Sequence, residues 1–125
     1  MLIPKELRYY KSHEWVRVEG DTALVGITDY AQNELGDLVY INLPNLGDEV
    51  ATDEAFADVE SVKAVSDVLS PLAGTVSEVN EALVDAPEMI NQDPYAAWIV
   101  RLKDISGLEG LMSAQEYEEF LKKEA

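Results

Sequence analysis

The sequence predicts a mainly β fold, a small sandwich or barrel with a helix at its C-terminus. Two observations carry this expectation. Runs of strand-forming residues recur at close spacing through most of the chain, each cut by Gly, Pro, Asn or Asp. Near the C-terminus the apolar period changes to that of a helix. The length of 125 residues suits one domain. A chain of that size buries roughly two-thirds of the surface its unfolded form exposes, so it needs no disulfide or metal staple.

The elements follow in order. Trp15-Val16-Arg17-Val18, the turn residues Glu19-Gly20-Asp21 and then Thr22 to Ile27 read as a hairpin. Thr28 is placed to cap a short helix through Tyr30, Ala31 and Leu35, with Gly36 at its stop. Leu38 to Leu43 is a strand that Pro44 ends, and residues 44–48 are a loop. Phe56 to Val62 and Ala64 to Leu69 are two strands around Lys63, and Ser70-Pro71 breaks the second. Gly74 to Val79 is a further strand, although neither of its faces is cleanly apolar. Asn80 to Asn91 reads as irregular and carries Pro87, and Tyr95 to Leu102 reads as the last strand. Ser113 with Glu116 three residues on is a capping box, and Tyr117, Phe120 and Leu121 then recur at helical spacing. Lys122 and Lys123 complement the end of that helix, expected over about 113–123.

Composition narrows the function. Cysteine is absent, so there is no disulfide framework and no thiolate nucleophile or thiolate metal site. Lys and Arg number 9 against 25 Asp and Glu, a formal charge of −16. That balance argues against nucleic acid and against anionic membranes, and it suits steering toward basic patches on partner proteins. No apolar run approaches a membrane span. Met1 to Glu6 reads as neither a signal peptide nor a basic transit peptide. The expectation is a cytoplasmic protein, or a mitochondrial matrix one if this is a processed eukaryotic chain. His13 is the only histidine, too few for a multi-histidine metal site and without a triad partner, so it reads as structural or surface. Trp15 and Trp98 read as core or cleft aromatics.

Lys63 is the most informative position. It sits between two strand-like segments, where a hairpin turn lifts it into solvent. Strands on both sides hold such a turn in one geometry, which suits a site that a modifying enzyme must enter. Acylation there replaces a solvated cation by a neutral arm. A lysine in a turn is most often only a solvated lysine, and the surrounding sequence decides otherwise. Biotin acceptor lysines typically lie between methionines, and Val62 and Ala64 do not match that pattern.

The wider pattern resembles the glycine cleavage H-protein family over nearly the whole chain. Tyr10-Lys11-Ser12-His13-Glu14-Trp15-Val16 is similar to the opening motif of that family. Val25 to Gln32, Leu35-Gly36-Asp37, Leu43-Pro44 and Glu60 to Ala64 follow in the family's order. So do Ser70-Pro71, Gly74, Val79-Asn80-Glu81 and Asn91 with Asp93-Pro94-Tyr95. The resemblance implies a mainly β barrel-sandwich hybrid of the lipoyl/biotinyl-like kind, with short helices and a C-terminal helix. It implies one lipoyl-carrier domain over residues 1–125, with its hairpin at about 55–70. Lipoic acid would be joined to Lys63 by an amide, and Glu60 and Gly74 match positions used in recognition for modification.

The resemblance further implies a carrier rather than an enzyme. P protein, a pyridoxal-phosphate glycine decarboxylase, would load an aminomethyl group on the arm. T protein, an aminomethyltransferase, would unload it to tetrahydrofolate, and L protein, a flavin dihydrolipoyl dehydrogenase, would reoxidise the arm. A lipoate ligase or lipoyl transferase would attach the arm, and a monomer is the family expectation. Ser12, Glu14 and Asp67 match the polar residues that hold the loaded arm in a cleft, where a carboxylate would pair with the cationic amine and water would be kept away. Pro94-Tyr95-Ala96-Ala97-Trp98 departs from the family, which carries a glycine where Ala97 stands. Two alternatives stand beside this reading: an H-like lipoyl carrier for another pathway, such as sulfur oxidation or lipoyl relay, and a lipoyl-free scaffold or self-standing enzyme.

Overall fold

The computed structural model describes residues 1–124. Its strands are β1 (Arg8–Tyr9), β2 (Glu14–Glu19), β3 (Thr22–Ile27), β4 (Leu38–Asn42), β5 (Glu49–Val50), β6 (Ala55–Ser61), β7 (Val65–Leu69), β8 (Ala73–Val79) and β9 (Val100–Ser106). Its α-helices are α1 (Asp29–Leu35), α2 (Ala82–Asp85), α3 (Met89–Gln92) and α4 (Ala114–Glu124). The strands form two sheets, one of six in the order β1-β2-β3-β9-β8-β5 and one of three in the order β4-β6-β7. Every pairing is antiparallel. This is the mainly β, two-sheet architecture with short helices and a C-terminal helix that the sequence predicts.

Local chemistry places the elements. The β2–β3 hairpin pairs Glu19 with Thr22, which leaves Gly20-Asp21 as its loop, and Gly20 takes φ 63°. The Thr28 hydroxyl accepts the N–H of Ala31 at 3.2 Å and starts α1. Gly36 ends α1 at φ 81°, ψ −161°, a region that only glycine enters readily. At α4 the capping box closes in both directions: Glu116 N–H donates to Ser113 Oγ at 3.2 Å, and Ser113 N–H donates to Glu116 Oε1 at 2.8 Å.

Both sheets contribute to the main core, which includes Val25, Ile41, Val59, Val68, Val76 and Leu102. A second cluster lies where α4 meets the six-stranded sheet, built from Leu7, Tyr9, Trp15, Leu24, Tyr95, Tyr117 and Leu121. Tyr9 and Tyr117 stack there with ring centroids 4.7 Å apart. Trp15 faces its cross-strand partner Gly26 so closely that a Cβ on Gly26 would fall 2.6 Å from the indole.

Two expectations need correction. The last strand begins at Val100 and runs to Ser106, not from Tyr95 to Leu102. Residues 94–97 turn instead, with Ala96 and Ala97 N–H both donating to the Asp93 carbonyl. The apolar character of Tyr95 and Ala97 reflects burial, not sheet pairing, whereas Ile99, whose N–H donates to the Val25 carbonyl at 2.8 Å, leads directly into β9. Asn80 to Asn91 is not irregular throughout: α2 and α3 are single turns anchored by the fully buried Leu83 and Ile90. Two strands of two residues, β1 and β5, went unforeseen because so short a run carries no period.

The weak alternation of residues 74–79 has a physical reason. The register of β8 on β9 shifts at Ala73/Thr75 and again at Val76/Glu78, and each shift resets which side chains point inward. A similar shift between Leu38 and Tyr40 in β4 turns both Val39 and Tyr40 toward solvent. Ala97 is 3% exposed and is not among the non-glycine residues with positive φ, so this loop does not require a glycine there.

Candidate functional site

β6 and β7 project a tip made of Ser61, Val62, Lys63 and Ala64, beyond the last cross-strand pair Glu60–Val65. Its backbone is tied down. Ser61 N–H donates to the Ala64 carbonyl at 2.8 Å, and the Ser61 hydroxyl accepts the N–H groups of Lys63 and Ala64 at 3.1 Å each. Val62 N–H donates to the Asp37 carbonyl at 3.1 Å, which fixes the tip to the turn after α1. Ser61 is a supporting residue that the sequence reading passed over. A serine two residues before the turn's centre is the signal that would have found it.

Lys63 stands exposed on this rigid tip. Its Nζ makes one contact, to the Glu34 carbonyl at 3.5 Å. Its stem lies over Gly36, where a Cβ would come 3.3 Å from Lys63 Cε. Val62 and Val65 beside it are also exposed. An amine held this way, in no ion pair among the described residues, is suited to acylation by an enzyme that must surround it.

Glu60 lies on the outer face of the three-stranded sheet, in a row with Tyr40 and Val65. The next row on that face is Asn42, Asp58 and Asp67, and Asn42 Nδ2 donates to Asp58 at 2.8 Å. Gly74 belongs to the other sheet. A Cβ there would fall 2.9 Å from the Lys103 carbonyl oxygen and 3.1 Å from Leu102 Cβ. Close packing of β8 on β9 therefore explains that glycine. A positive φ does not, since none is present at Gly74.

A second polar feature lies in the loop that enters β2. Tyr10 N–H donates to the Glu14 carbonyl and His13 N–H to the Tyr10 carbonyl, both at 2.9 Å, which closes the loop over residues 10–14. Its Glu14 carboxylate is only 3% exposed and accepts a bond from the Ser12 hydroxyl. Burial pushes the Glu14 carboxyl up to about 7, against the Ser12 hydroxyl and the Leu69 amide, which favour the charged form, while Asp53 adds to the rise. The structure thus joins Ser12 to Glu14 directly. Asp67 lies two residues before Leu69 on β7, and among the described residues no hydrogen bond or ion pair links it to Ser12 or Glu14. A buried carboxylate with a hydroxyl beside it is a place where a cationic group gains a charge-assisted hydrogen bond.

His13, read from the sequence as structural or surface, takes the structural course. It holds φ 75°, its Nδ1 lies 2.9 Å from the Tyr117 hydroxyl, and its Nε2 lies 3.1 Å from a Glu124 carboxylate oxygen.

The chain matches known proteins over nearly its full length. The family model described as "Glycine cleavage H-protein" matches residues 7–124. The chain is 60% identical over 125 residues to a glycine cleavage system H protein of Lachnoclostridium phytofermentans, covering 99% of this chain and 98% of the relative. It is 55% identical over 125 residues to one of Halothermothrix orenii, covering 98% of each. A crystal structure of a glycine cleavage system H protein from Mycobacterium marinum superposes with TM-score 0.85 at 38% identity, covering 98% of each chain.

Proposed function

The chain belongs to the glycine cleavage H-protein family, and on that premise we propose that it is the lipoyl-bearing carrier of a glycine cleavage system, with lipoic acid in amide linkage to Lys63. The observation that supports this reading most is the lysine itself: a lone exposed amine on a tip whose backbone groups are held by Ser61 and Asp37. When attached, the lipoyl group supplies the sulfur chemistry, and the protein supplies presentation and environment. The protein is then one lipoyl-carrier domain, a cytoplasmic monomer with no catalysis of its own. Its partners are P protein, T protein, L protein and a lipoate ligase or lipoyl transferase.

The residues divide the work. Ser61 and the Val62–Asp37 bond fix where the amine points. Glu60, beside the tip, serves recognition by the modifying enzyme, and Gly74 supports it from the neighbouring sheet. Ser12 and Glu14 receive the cationic end of the loaded arm. Near neutral pH the Glu14 carboxyl holds its proton part of the time, and an ammonium brought against it favours the charged form. Asp67 adds negative charge on the route between the tip and that pocket.

The test is intact and peptide mass after incubation with a lipoate ligase, lipoate and ATP, beside Lys63→Ala. A single lipoyl adduct on the Lys63 peptide, absent from the variant, is expected. No adduct under conditions that modify a known lipoyl domain would falsify the carrier reading.

A further inference from the structure

Asp53 is one of three non-glycine residues with positive φ among those described, at φ 72°. A non-glycine residue held there stores strain of about 1 kcal/mol or more, so its neighbours must enforce it. They do so from two sides. Asp53 N–H donates to the Ser70 carbonyl and Ser70 N–H to the Glu54 carbonyl, both at 2.8 Å, which ties the turn before β6 to the end of β7. The Tyr10 hydroxyl, on a side chain 5% exposed, donates to the Asp53 carboxylate. Tyr10 is also the residue whose N–H and carbonyl close the loop that carries Ser12 and Glu14. Lys11 Nζ lies 4.0 Å from the outer oxygen of Asp53, so the carboxylate is held by a phenol inside and an ammonium outside.

We propose that Asp53 and Tyr10 are positioning residues of the Ser12–Glu14 pair: the Tyr10–Asp53 bond sets the loop against the end of β7, and the Asp53 charge makes this place more favourable to a cation. The second half rests on the carrier reading, since the cation is the end of the loaded arm. The first half does not. The ionisable groups that act on Glu14 or feel it include Asp53, Tyr10 and Tyr117, with Lys11 beside Asp53, and Asp53 is the carboxylate among them.

Two variants separate bond from charge. Tyr10→Phe removes the hydrogen bond and keeps the carboxylate. Asp53→Asn keeps an acceptor for Tyr10 and removes the charge. The first readout is the Glu14 carboxyl titration, followed by NMR on the unmodified protein. Asp53→Asn is expected to move its midpoint down by about half a unit or more. Tyr10→Phe is expected to broaden or split the Ser12 to Glu14 amide signals while Leu102 and Val25 amides stay unchanged. The second readout is the lifetime of the arm loaded from glycine by P protein, expected to fall about fivefold in either variant. A wild-type Glu14 midpoint and wild-type loop signals in both variants would overturn the proposal, whatever happens to the melting temperature. Failure of the wild-type protein to take a lipoyl group overturns the carrier reading alone, because the titration is read without the arm.

Discussion

Tyr117 in α4 stands 2.8 Å from the Thr28 hydroxyl that caps α1, hydroxyl to hydroxyl. The Tyr117 oxygen is also 2.9 Å from Nδ1 of His13, whose Nε2 faces Glu124. A carboxylate only accepts, so Nε2 carries the imidazole proton, and burial, which lowers the His13 pKa, keeps the ring neutral. Nδ1 then accepts from Tyr117, and Thr28 must donate to Tyr117 while accepting from Ala31. One directed chain thus runs from the start of α1 through the entry to β2 to the end of α4.

Tyr117→Phe removes the centre of that chain and leaves the buried Thr28 hydroxyl without its partner. A loss of about 1–3 kcal/mol in urea unfolding is expected, with the Lys63 hairpin unchanged in amide exchange. Wild-type stability would show that the chain adds nothing net.

Glu14 gives a pH signature whose sign is fixed. Its folded-state pKa is about 7, raised by burial, against an ordinary glutamate value when unfolded. Below the unfolded value both states hold the proton. Between that value and about 7 only the folded state does, so stability falls as pH rises through this window and then levels. Glu14→Gln lacks the titration. Its stability relative to wild type should therefore grow from pH 5 to pH 8 by up to about 3 kcal/mol. Parallel wild-type and variant curves would sink the assignment.

The same substitution tests the role proposed for Ser12 and Glu14 in holding a loaded arm. Gln at position 14 keeps the Ser12 hydrogen bond and loses the negative charge, so the hold on a cationic arm end weakens. The loaded arm should lose its one-carbon unit about tenfold faster. An unchanged lifetime removes Glu14 from that role.

Gly36→Ala acts on the lysine from below. The backbone there, φ 81° and ψ −161°, resists any Cβ, and the new methyl also meets the Lys63 stem at 3.3 Å. Gly47→Ala supplies the control, because Gly47 also has a positive φ, 88°, with nothing near its missing Cβ. Both variants should lose stability by about 1–2 kcal/mol. Only Gly36→Ala should slow lipoylation of Lys63 by a ligase, read as initial rate on folded protein. Equal rates in the two would show that the stem has room enough.

What could be read in the sequence was what local chemistry writes. Thr28, Gly36, Gly20-Asp21 and the Ser113/Glu116 pair act within a few residues of themselves, and each produced the element expected of it. The Lys63 hairpin was legible for the same reason. Tyr95 to Ala97 misled because apolar residues in a buried turn carry the same composition as a strand. The Tyr10–Asp53 bond joins positions 43 residues apart, and nothing near either residue announces the other. Glu14 was legible as a carboxylate, but its burial exists only in the folded protein, where that burial and Asp53 raise its affinity for a proton against the bonds from Ser12 and Leu69.

The register shift at Leu38/Tyr40 has a consequence for life in a crowded solution. β4 is an outer strand of the three-stranded sheet, and an uninterrupted outer strand invites another chain to add itself and continue the sheet. The shift breaks the even ladder at Val39, and the carboxylates of Asp58 and Asp67 crowd the adjoining face. A stray polypeptide therefore finds no regular template along β4. A kinked border is one way to keep the rim beside an exposed lysine open without another chain joining it.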